Sequence, residues 1–204
     1  MDRIMHSRSV RYRFTLLLIS LLTACAPPPS SIAPINATKS FEQRKQELKD
    51  IQKWHISGGI AVKEGHEGFS GSLDWRQTGP TNYTIVIAGP LGSGKIKMTA
   101  NKGHVTLSDG STTAHSNNAS TLIKDQTGYS IPISSLFYWI RGLPAPNASA
   151  QKSFDQFGHL QQLRQIGWQI DYKRFTAFKG YDVPSKLSAI KGNIKVKIVV
   201  NQWG

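Results

Sequence analysis

Apolar residues alternate with polar ones through most of the chain between positions 60 and 200. Successive side chains of a β-strand point to opposite faces, so this period of two predicts strands that each bury one face. Short runs rich in Gly and Asn separate the alternating segments at the spacing of hairpin turns. We count roughly ten strands, with apolar positions at Ile60 and Val62; Phe69, Leu73 and Trp75; Tyr83, Ile85 and Ile87; Ile96 and Met98; Val105 and Leu107; residues 160–165; Trp168, Ile170 and Tyr172; residues 184–189; and Ile194, Val196, Ile198 and Val200.

Helical spacing occurs in only three short stretches of the chain. Residues 40–54 place apolar side chains on one face of a helix, and Ser40 with Gln43 fits a capping box. Residues 116–124 form a second candidate helix. Residues 132–141 form the third, which is apolar nearly all round and therefore needs cover on several sides.

An antiparallel sheet of this many strands has to curl, and it then closes or nearly closes into a barrel with an apolar inner face. The expected fold class is therefore mainly β (α+β), a single antiparallel β-barrel with short helices as a lid or plug. Side chains can fill such a barrel, or it can enclose one ligand, and the pattern leaves both possibilities open. Candidates for an internal cavity, for each of which ordinary core packing is the alternative, are Leu73, Trp75, Ile85, Ile87, Met98, Leu136, Trp139, Trp168 and Ile198.

The first 24 residues have the layout of a bacterial signal peptide. Four arginines precede an uncharged run at residues 14–22, which is shorter than the ~20 residues a membrane-spanning helix needs. The run leads into Leu22, Thr23, Ala24 and Cys25, which resemble the lipobox of bacterial lipoproteins. That resemblance implies cleavage before Cys25 and attachment of S-diacylglyceryl and N-acyl groups to this residue, and two or three acyl chains anchor a protein firmly.

We therefore expect three segments: a cleaved signal peptide at 1–24, a lipidated Cys with a Pro-rich tether at 25–38, and a folded domain at 39–204. The tether has four Pro in residues 26–38, so it cannot form a helix. Under the sorting rule of enteric-type lipoproteins, Ala26 resembles an outer-membrane address. The formal net charge of +13 falls to +10 on cleavage, because residues 1–24 contain four Arg and one Asp.

The sequence contains no recognisable catalytic or metal-binding motif. None of the six His is set beside another His, a Cys or a carboxylate cluster at metal-ligand spacing, so we interpret them as scattered surface residues and expect no metal. Asp171 and Asp182 could form an acid–base pair, but solvated strand residues are the better interpretation. We expect no enzyme and no cofactor beyond the lipid on Cys25.

The basic charge raises the question of a nucleic-acid partner, which a secreted, lipid-anchored domain would not meet. We interpret Lys95, Lys97, Lys195 and Lys197 as a solvated rim, which serves either solubility alone or electrostatic steering.

One turn places a large apolar residue where it has few neighbours. Leu91 lies between Pro90 and Gly92 at the tip of a predicted hairpin, so its side chain is either tucked back or aimed outward. On a tethered protein, an outward Leu could enter lipid and gain about 1.5 to 3 kcal/mol.

Several segments together resemble the LolB family of outer-membrane lipoprotein receptors. Besides the lipobox, they are residues 88–100, residues 127–133 followed by Leu136, Trp139 and Ile140, residues 142–144, Gly167 with Trp168, and residues 194–203. The resemblance covers nearly the whole mature chain. It departs from the family pattern at Gly89, where the family often has Asn.

The resemblance implies an open antiparallel barrel of about eleven strands with an apolar cavity under lid helices. It implies that the protein takes lipoproteins from the periplasmic carrier LolA, holds their acyl chains and inserts them into the outer membrane, with Pro90, Leu91 and Gly92 as the membrane-inserting loop. The partners are then a LolA-type carrier, lipoprotein acyl chains and outer-membrane lipids, and the chain acts as a monomer. Two other interpretations stay open: a lipid- or lipoprotein-sensing module that does not transfer its ligand, and a structural envelope lipoprotein.

Overall fold

A computed structural model describes residues 39–92 and 94–204 of the chain. The expected signal peptide and tether, including Cys25, lie outside these residues. The described part contains eleven strands, three α-helices and one short 3₁₀ turn. The strands are β1 (Trp54–Glu64), β2 (Glu67–Gly79), β3 (Asn82–Ala88), β4 (Ile96–Asn101), β5 (His104–Ser108), β6 (Thr113–Ser116), β7 (Ala150–Phe154), β8 (Leu160–Gln165), β9 (Trp168–Phe178), β10 (Tyr181–Lys191) and β11 (Ile194–Trp203); the helices are α1 (Phe41–Asp50), α2 (Ala119–Thr127) and α3 (Ile133–Trp139).

All eleven strands form one antiparallel sheet in the order β6-β5-β4-β3-β2-β1-β11-β10-β9-β8-β7. The first and last strands of the chain, β1 and β11, pair in the middle, and the pairing continues outward on both sides as hairpins. In this described sheet the outer strands β6 and β7 do not pair, so the barrel stays open, and the chain between them contains α2 and α3. This confirms the mainly β, open antiparallel fold of about eleven strands. No helix in the described residues is long and apolar enough to span a bilayer.

Because hairpin turns alternate between the two ends of a meander, the turns fall into two groups. We call the "loop end" the end of the sheet that carries residues 89–95 and the turns at 65–66, 109–112, 166–167 and 192–193. The "far end" carries the turns at 80–81, 102–103 and 179–180.

Helix α1 begins and ends with side-chain caps. The Ser40 side chain accepts from the Gln43 backbone N–H at 3.3 Å, and the Gln43 side chain accepts from the Ser40 N–H at 2.8 Å, which confirms the capping box. At the other end, the buried guanidinium of Arg141 donates to the carbonyls of Leu48 (3.1 Å) and Ile51 (2.8 Å). The helix therefore stops at Asp50, not at residue 54 as the apolar spacing predicted.

Trp54, which the apolar spacing places in that helix, begins β1 instead. Its ring packs 5.0 Å from Trp75, 5.6 Å from Trp203 and 6.2 Å from Phe137, and this burial between two strands and α3 outweighs the local helical pattern.

A buried ionic cluster joins α1 to the sheet. Arg44 donates to Asp182 on β10 at 2.8 Å and to the carbonyl of Phe157 at 3.1 Å. His159 lies between Asp155 (3.1 Å) and Asp182 (3.2 Å), with its ring stacked 4.4 Å from Phe175. The prediction of a surface residue was therefore wrong for His159, and the interpretation as a solvated residue was wrong for Asp182, whose side chain is 8% exposed. The cluster depends on residues far apart in sequence, so local spacing could not predict it.

Two strands were missed because their sequences are mostly polar. Strands β6 and β7 are the edges of the sheet, and most of their side chains are exposed, so they lack an apolar alternation. The second helix begins at Ala119, not at 116, because Asn118 is its N-cap and accepts from the backbone N–H groups of Ser120 and Thr121.

Two neighbouring glycines of β1 differ in the space around them, and this difference can be tested. A Cβ at Gly58 would lie 2.0 Å from the carbonyl oxygen of Val199, whereas a Cβ at Gly59 would be no closer than 3.7 Å to any neighbour. We expect Gly58→Ala to lower the free energy of unfolding by about 2 kcal/mol, because the β1–β11 pair must separate locally. Gly59→Ala is the matched control and should unfold at the wild-type urea concentration or slightly above it. Equal urea midpoints for the two variants would contradict the close approach of β1 and β11.

Candidate functional site

The loop-end half of the sheet encloses an apolar cavity of about 60 Å³. Strands β1 to β5 and β11 form its wall, and α2, α3 and the segment that links them form its cover. Of the seventeen lining residues, only Thr127 and Tyr129 carry a hydroxyl group. The lining residues are Ile60, Val62, Phe69, Leu73, Trp75, Ile85, Ile87, Ile96, Met98, Leu107, Ile123, Thr127, Tyr129, Ile131, Ile133, Leu136 and Ile198.

Two polar groups of the lining are satisfied by neighbours in the protein. The Trp75 indole N–H donates to Gln77 at 2.9 Å, and the Thr127 hydroxyl donates to the Ile123 carbonyl at 2.7 Å. Tyr83, which packs against Trp75, directs its hydroxyl to the sulfur of Met98 at 3.7 Å, and burial raises the pKa of this phenol to about 12. The cavity therefore offers a ligand almost entirely dispersion contacts.

Seven of the nine predicted cavity residues line this space, namely Leu73, Trp75, Ile85, Ile87, Met98, Leu136 and Ile198. The structure does not bring Trp139 and Trp168 to it. These two rings lie 6.1 Å apart, and the Trp139 indole N–H donates to buried Gln165 at 3.0 Å. They belong to the packed interior between α3 and strands β8 and β9, because α3 turns only one of its apolar faces toward the cavity.

The cover also supplies lining residues that the sequence pattern did not single out. Ile123, Tyr129, Ile131 and Ile133 come from α2, from the link at residues 128–132 and from the start of α3. The ring of Tyr129 lies 5.8 Å from that of Phe69 on β2 and closes the cavity at the loop end. The repeated apolar residues at 129, 131 and 133 were a usable signal, since a connecting segment has no other reason to be apolar.

The two halves of the cover are attached differently. At the end of α3, the carbonyl of Trp139 accepts from the Tyr172 hydroxyl at 3.0 Å, and Arg141 holds the Phe137 carbonyl and ring at 3.2 and 4.0 Å. Burial lowers the pKa of Arg141 to about 10, so it stays protonated at neutral pH, and burial raises the pKa of Tyr172. Helix α2 and the link meet the sheet through apolar side chains. One hydrogen bond, from the Ile133 N–H to the Ser120 hydroxyl at 3.2 Å, joins the start of α3 to α2.

Leu91 is fully exposed, with 108% of its reference surface accessible. Residues Pro90–Gly92 form a 3₁₀ turn closed by the Gly92 N–H donating to the Gly89 carbonyl at 3.0 Å. Leu91 has φ 56°, a left-handed conformation that a non-glycine residue adopts at a cost. The structure thus places the side chain outward, and of the two alternatives the tucked one is wrong.

The exposed loop and the cavity share one end of the sheet. Val62, Phe69, Ile87 and Ile96 line the cavity from the loop-end termini of their strands, and Leu91 lies in the connection that directly follows Ile87 and Ala88. Lys95 and Lys97 follow the loop and are exposed, as predicted.

The fold matches that of a solved LolA superfamily protein, and the site is an apolar cavity beside an exposed apolar loop. A LolA superfamily protein of Nitrosomonas europaea superposes with a TM-score of 0.53 at 9% identity, over 81% of this chain and 93% of that one. A DUF1329 family protein of Desulfovibrio piger superposes with a TM-score of 0.51 at 8% identity, over 79% of this chain and 88% of that one.

Sequence comparison then identifies the family. Residues 52–203 match the family model described as "Outer membrane lipoprotein LolB". The outer-membrane lipoprotein LolB of Chromohalobacter salexigens is 34% identical over 195 residues, which cover 96% of this chain and 91% of that protein. The LolB of Pseudomonas aeruginosa is 31% identical over 188 residues, or 91% of each chain. The chain belongs to the LolB family of outer-membrane lipoproteins, which confirms both the resemblance and the expected location.

Two neighbouring residues of β3 test the cavity. Ile87 lines it, and Val86 points to the other face of the sheet. We expect Ile87→Glu to weaken binding of a fluorescent fatty-acid probe about tenfold or more, because an uncompensated carboxylate would enter an apolar space. The matched variant Val86→Glu should bind the probe as the wild type does. Fluorescence titration measures both, and equal weakening by the two variants would place the probe outside the cavity.

Proposed function

We propose that this protein is an outer-membrane-anchored acceptor that takes lipoproteins from a LolA-type periplasmic carrier and inserts them into the outer membrane. The observation that carries the proposal is the position of an apolar cavity at the same end of the sheet as the exposed Leu91. A cavity lined almost entirely by apolar side chains suits acyl chains, which form no hydrogen bonds. Membership of the LolB family supports the same partner and the same direction of transfer.

Transfer of this kind is a difference of affinities and requires no catalytic group. Acyl chains leave the carrier if this cavity binds them better, and they leave the cavity if the bilayer binds them better. Each buried CH₂ contributes about 0.8 kcal/mol, so small differences in how completely a chain is buried decide the direction. We therefore propose that the protein acts as a monomeric, non-enzymatic acceptor.

The cavity must enlarge before it can hold an acyl chain. An apolar cavity of about 150 Å³ accommodates one benzene molecule, so the space of about 60 Å³ present here is too small for a long chain. Helix α2 and the link at 128–132 are the parts that would move, because apolar contacts can slide and re-form. The end of α3 would stay in place, because buried hydrogen bonds to Arg141, Gln165 and Tyr172 hold it.

The anchor and the exposed loop would keep the protein at the membrane. We propose that Cys25, which lies outside the described residues, carries the lipid, and that the Pro-rich tether lets the domain tilt over the bilayer. Leu91, held outward by its turn, would then enter the acyl region next to the loop end of the cavity. An incoming acyl chain would have a continuous apolar route from cavity to bilayer.

A transfer assay distinguishes this proposal from a sensing module and from a structural lipoprotein. The domain lacking Cys25 is mixed with a LolA-type carrier loaded with a labelled lipoprotein, and the label on each protein is measured after separation. We expect the label to move to this domain in a ratio set by the two concentrations. A label that stays on the carrier at every ratio would exclude transfer and favour a sensing or structural role.

The exposed loop should matter for release and not for acceptance. We expect Leu91→Glu to preserve folding and acceptance from the carrier but to block delivery into liposomes, because a carboxylate at the tip cannot enter the acyl region. Leu91→Met keeps an apolar tip and is the control that should deliver normally. Delivery is measured as the label recovered with floated liposomes. If Leu91→Glu delivers as much label as the wild type, the loop has no role in release.

A further inference from the structure

A second large apolar side chain is exposed at a hairpin tip. Ile166 and Gly167 form the two-residue turn between β8 and β9, and the side chain of Ile166 is 45% exposed. The backbone of Ile166 has φ 47°, a left-handed conformation that β-branched residues strongly avoid. An exposed, strained Ile contributes little to the fold, so its presence calls for another reason.

Two other turns of the sheet have the same form and serve as an internal comparison. At Lys102 with Gly103, and at Lys179 with Gly180, a residue with φ near 50° precedes a glycine with positive φ. Both turns lie at the far end of the sheet, and in both the left-handed position holds a lysine. Among these three turns of the described sheet, only the Ile166 turn has an apolar residue in the left-handed position. That turn lies at the loop end, as Leu91 does.

The sheet order sets the spacing between the two apolar tips. The Leu91 turn follows β3 and the Ile166 turn precedes β9, and these strands are five neighbours apart in the sheet. Five strand spacings amount to about 24 Å along the curved sheet. The two tips therefore lie well apart on the rim of the open barrel.

Exposed lysines occupy the same rim. Lys63 and Lys195 lie directly opposite each other on β1 and β11, an arrangement of like charges that weakens strand pairing. Lys191 lies against the Ile166 turn, with its Cε 3.4 Å from the place of a Cβ on Gly167. Among the described residues, none of these three lysines has a carboxylate oxygen within 4.0 Å. The acidic residues of the strands and turns at this end are Glu64, Glu67 and Asp109, and exposed Asp125 lies in the last turn of α2.

We propose that the Ile166 turn is a second membrane contact. Ile166 and Leu91 enter the acyl region of the bilayer, and Lys63, Lys191 and Lys195 contact the lipid phosphates. Apolar tips beside lysines suit the boundary between acyl chains and anionic headgroups. One inserted loop leaves the domain free to rotate about it, whereas two separated contacts restrict how the loop end tilts against the bilayer. This inference rests on the proposed function, since it presupposes that the loop end faces the membrane.

The test measures the depth of single residues in the bilayer. Ile166→Cys, Leu91→Cys and Lys179→Cys are made in the full lipidated chain, labelled with the environment-sensitive dye NBD and reconstituted into vesicles of phosphatidylethanolamine and phosphatidylglycerol. We expect the dye at 166, like that at 91, to shift to the blue and to be quenched by spin-labelled acyl chains. The dye at 179, in the matching turn at the far end, should keep the emission of a dye in water and should not be quenched by the spin-labelled acyl chains.

The outcomes separate this inference from the proposed function. A dye in lipid at 91 but in water at 166 overturns the second contact and leaves the proposed function intact. Dyes in water at both positions overturn both. A dye at 166 that responds to added carrier protein and not to lipid also overturns the membrane contact and assigns the turn to protein docking.

A second variant provides a check that does not depend on labelling. Asn tolerates the left-handed conformation, so we expect Ile166→Asn to raise the melting temperature by about 3 °C. When Ile166→Asn is combined with NBD-labelled Leu91→Cys, quenching should indicate a shallower position of the dye in the bilayer, because a domain held by one contact tilts more freely. Lys179→Asn, the control in the matching turn, should leave the quenching at 91 unchanged. Unchanged quenching in Ile166→Asn would overturn the proposal.

Discussion

The structure depends on one constraint, which is that an entire face of an eleven-stranded sheet has to be kept from water. The alternation along each strand commits this face to burial, and the two edge strands do not meet to close it. The chain between those edges therefore supplies the missing cover as helices α2 and α3. Because helices cover a curved sheet less completely than a further strand would, an apolar cavity remains at the loop end. The cavity is thus a consequence of how the barrel is left open.

The cover is firm on one side and adaptable on the other, and the difference follows from the kind of contact. Arg141, Gln165 and Tyr172 join α3 to α1 and to β8 and β9 through buried hydrogen bonds, whose loss would leave unpaired polar groups. Helix α2 and the link rest mainly on apolar side chains, which can be displaced by another apolar group at little cost. An acyl chain is such a group, so a ligand could replace the contacts that it breaks.

The two ends of the sheet have different surfaces. The loop end has exposed apolar tips at Leu91 and Ile166 and lysines with no ion-pair partner among the described residues, whereas comparable turns at the far end carry lysine at the tip. Helix α1 and its ionic cluster with Asp182 and His159 lie toward the far end, where β9 ends and β10 begins. The loop end therefore suits contact with a bilayer. The far end suits contact with water, and its ionic cluster stabilises the packing of α1 on the sheet.

The sequence by itself determined the strands with apolar alternation, the N-terminal cap of α1, most of the cavity wall and the unusual position of Leu91. These features depend on neighbours within a few residues. The corresponding patterns, which are a period of two, a capping pair and a Gly–Pro turn, can be recognised in the sequence. Only the tertiary structure decided where α1 ends, that polar β6 and β7 are strands, and that Trp139 and Trp168 belong to the packed interior. It also buried His159 between two carboxylates. Strands β6 and β7 pair with their chain neighbours β5 and β8, but as exposed edges they carry no apolar alternation. In the other cases the deciding partner is distant in sequence, as Arg44 is from Asp182 or Arg141 from Ile51, and the free energy of burying the pair outweighs the local preference.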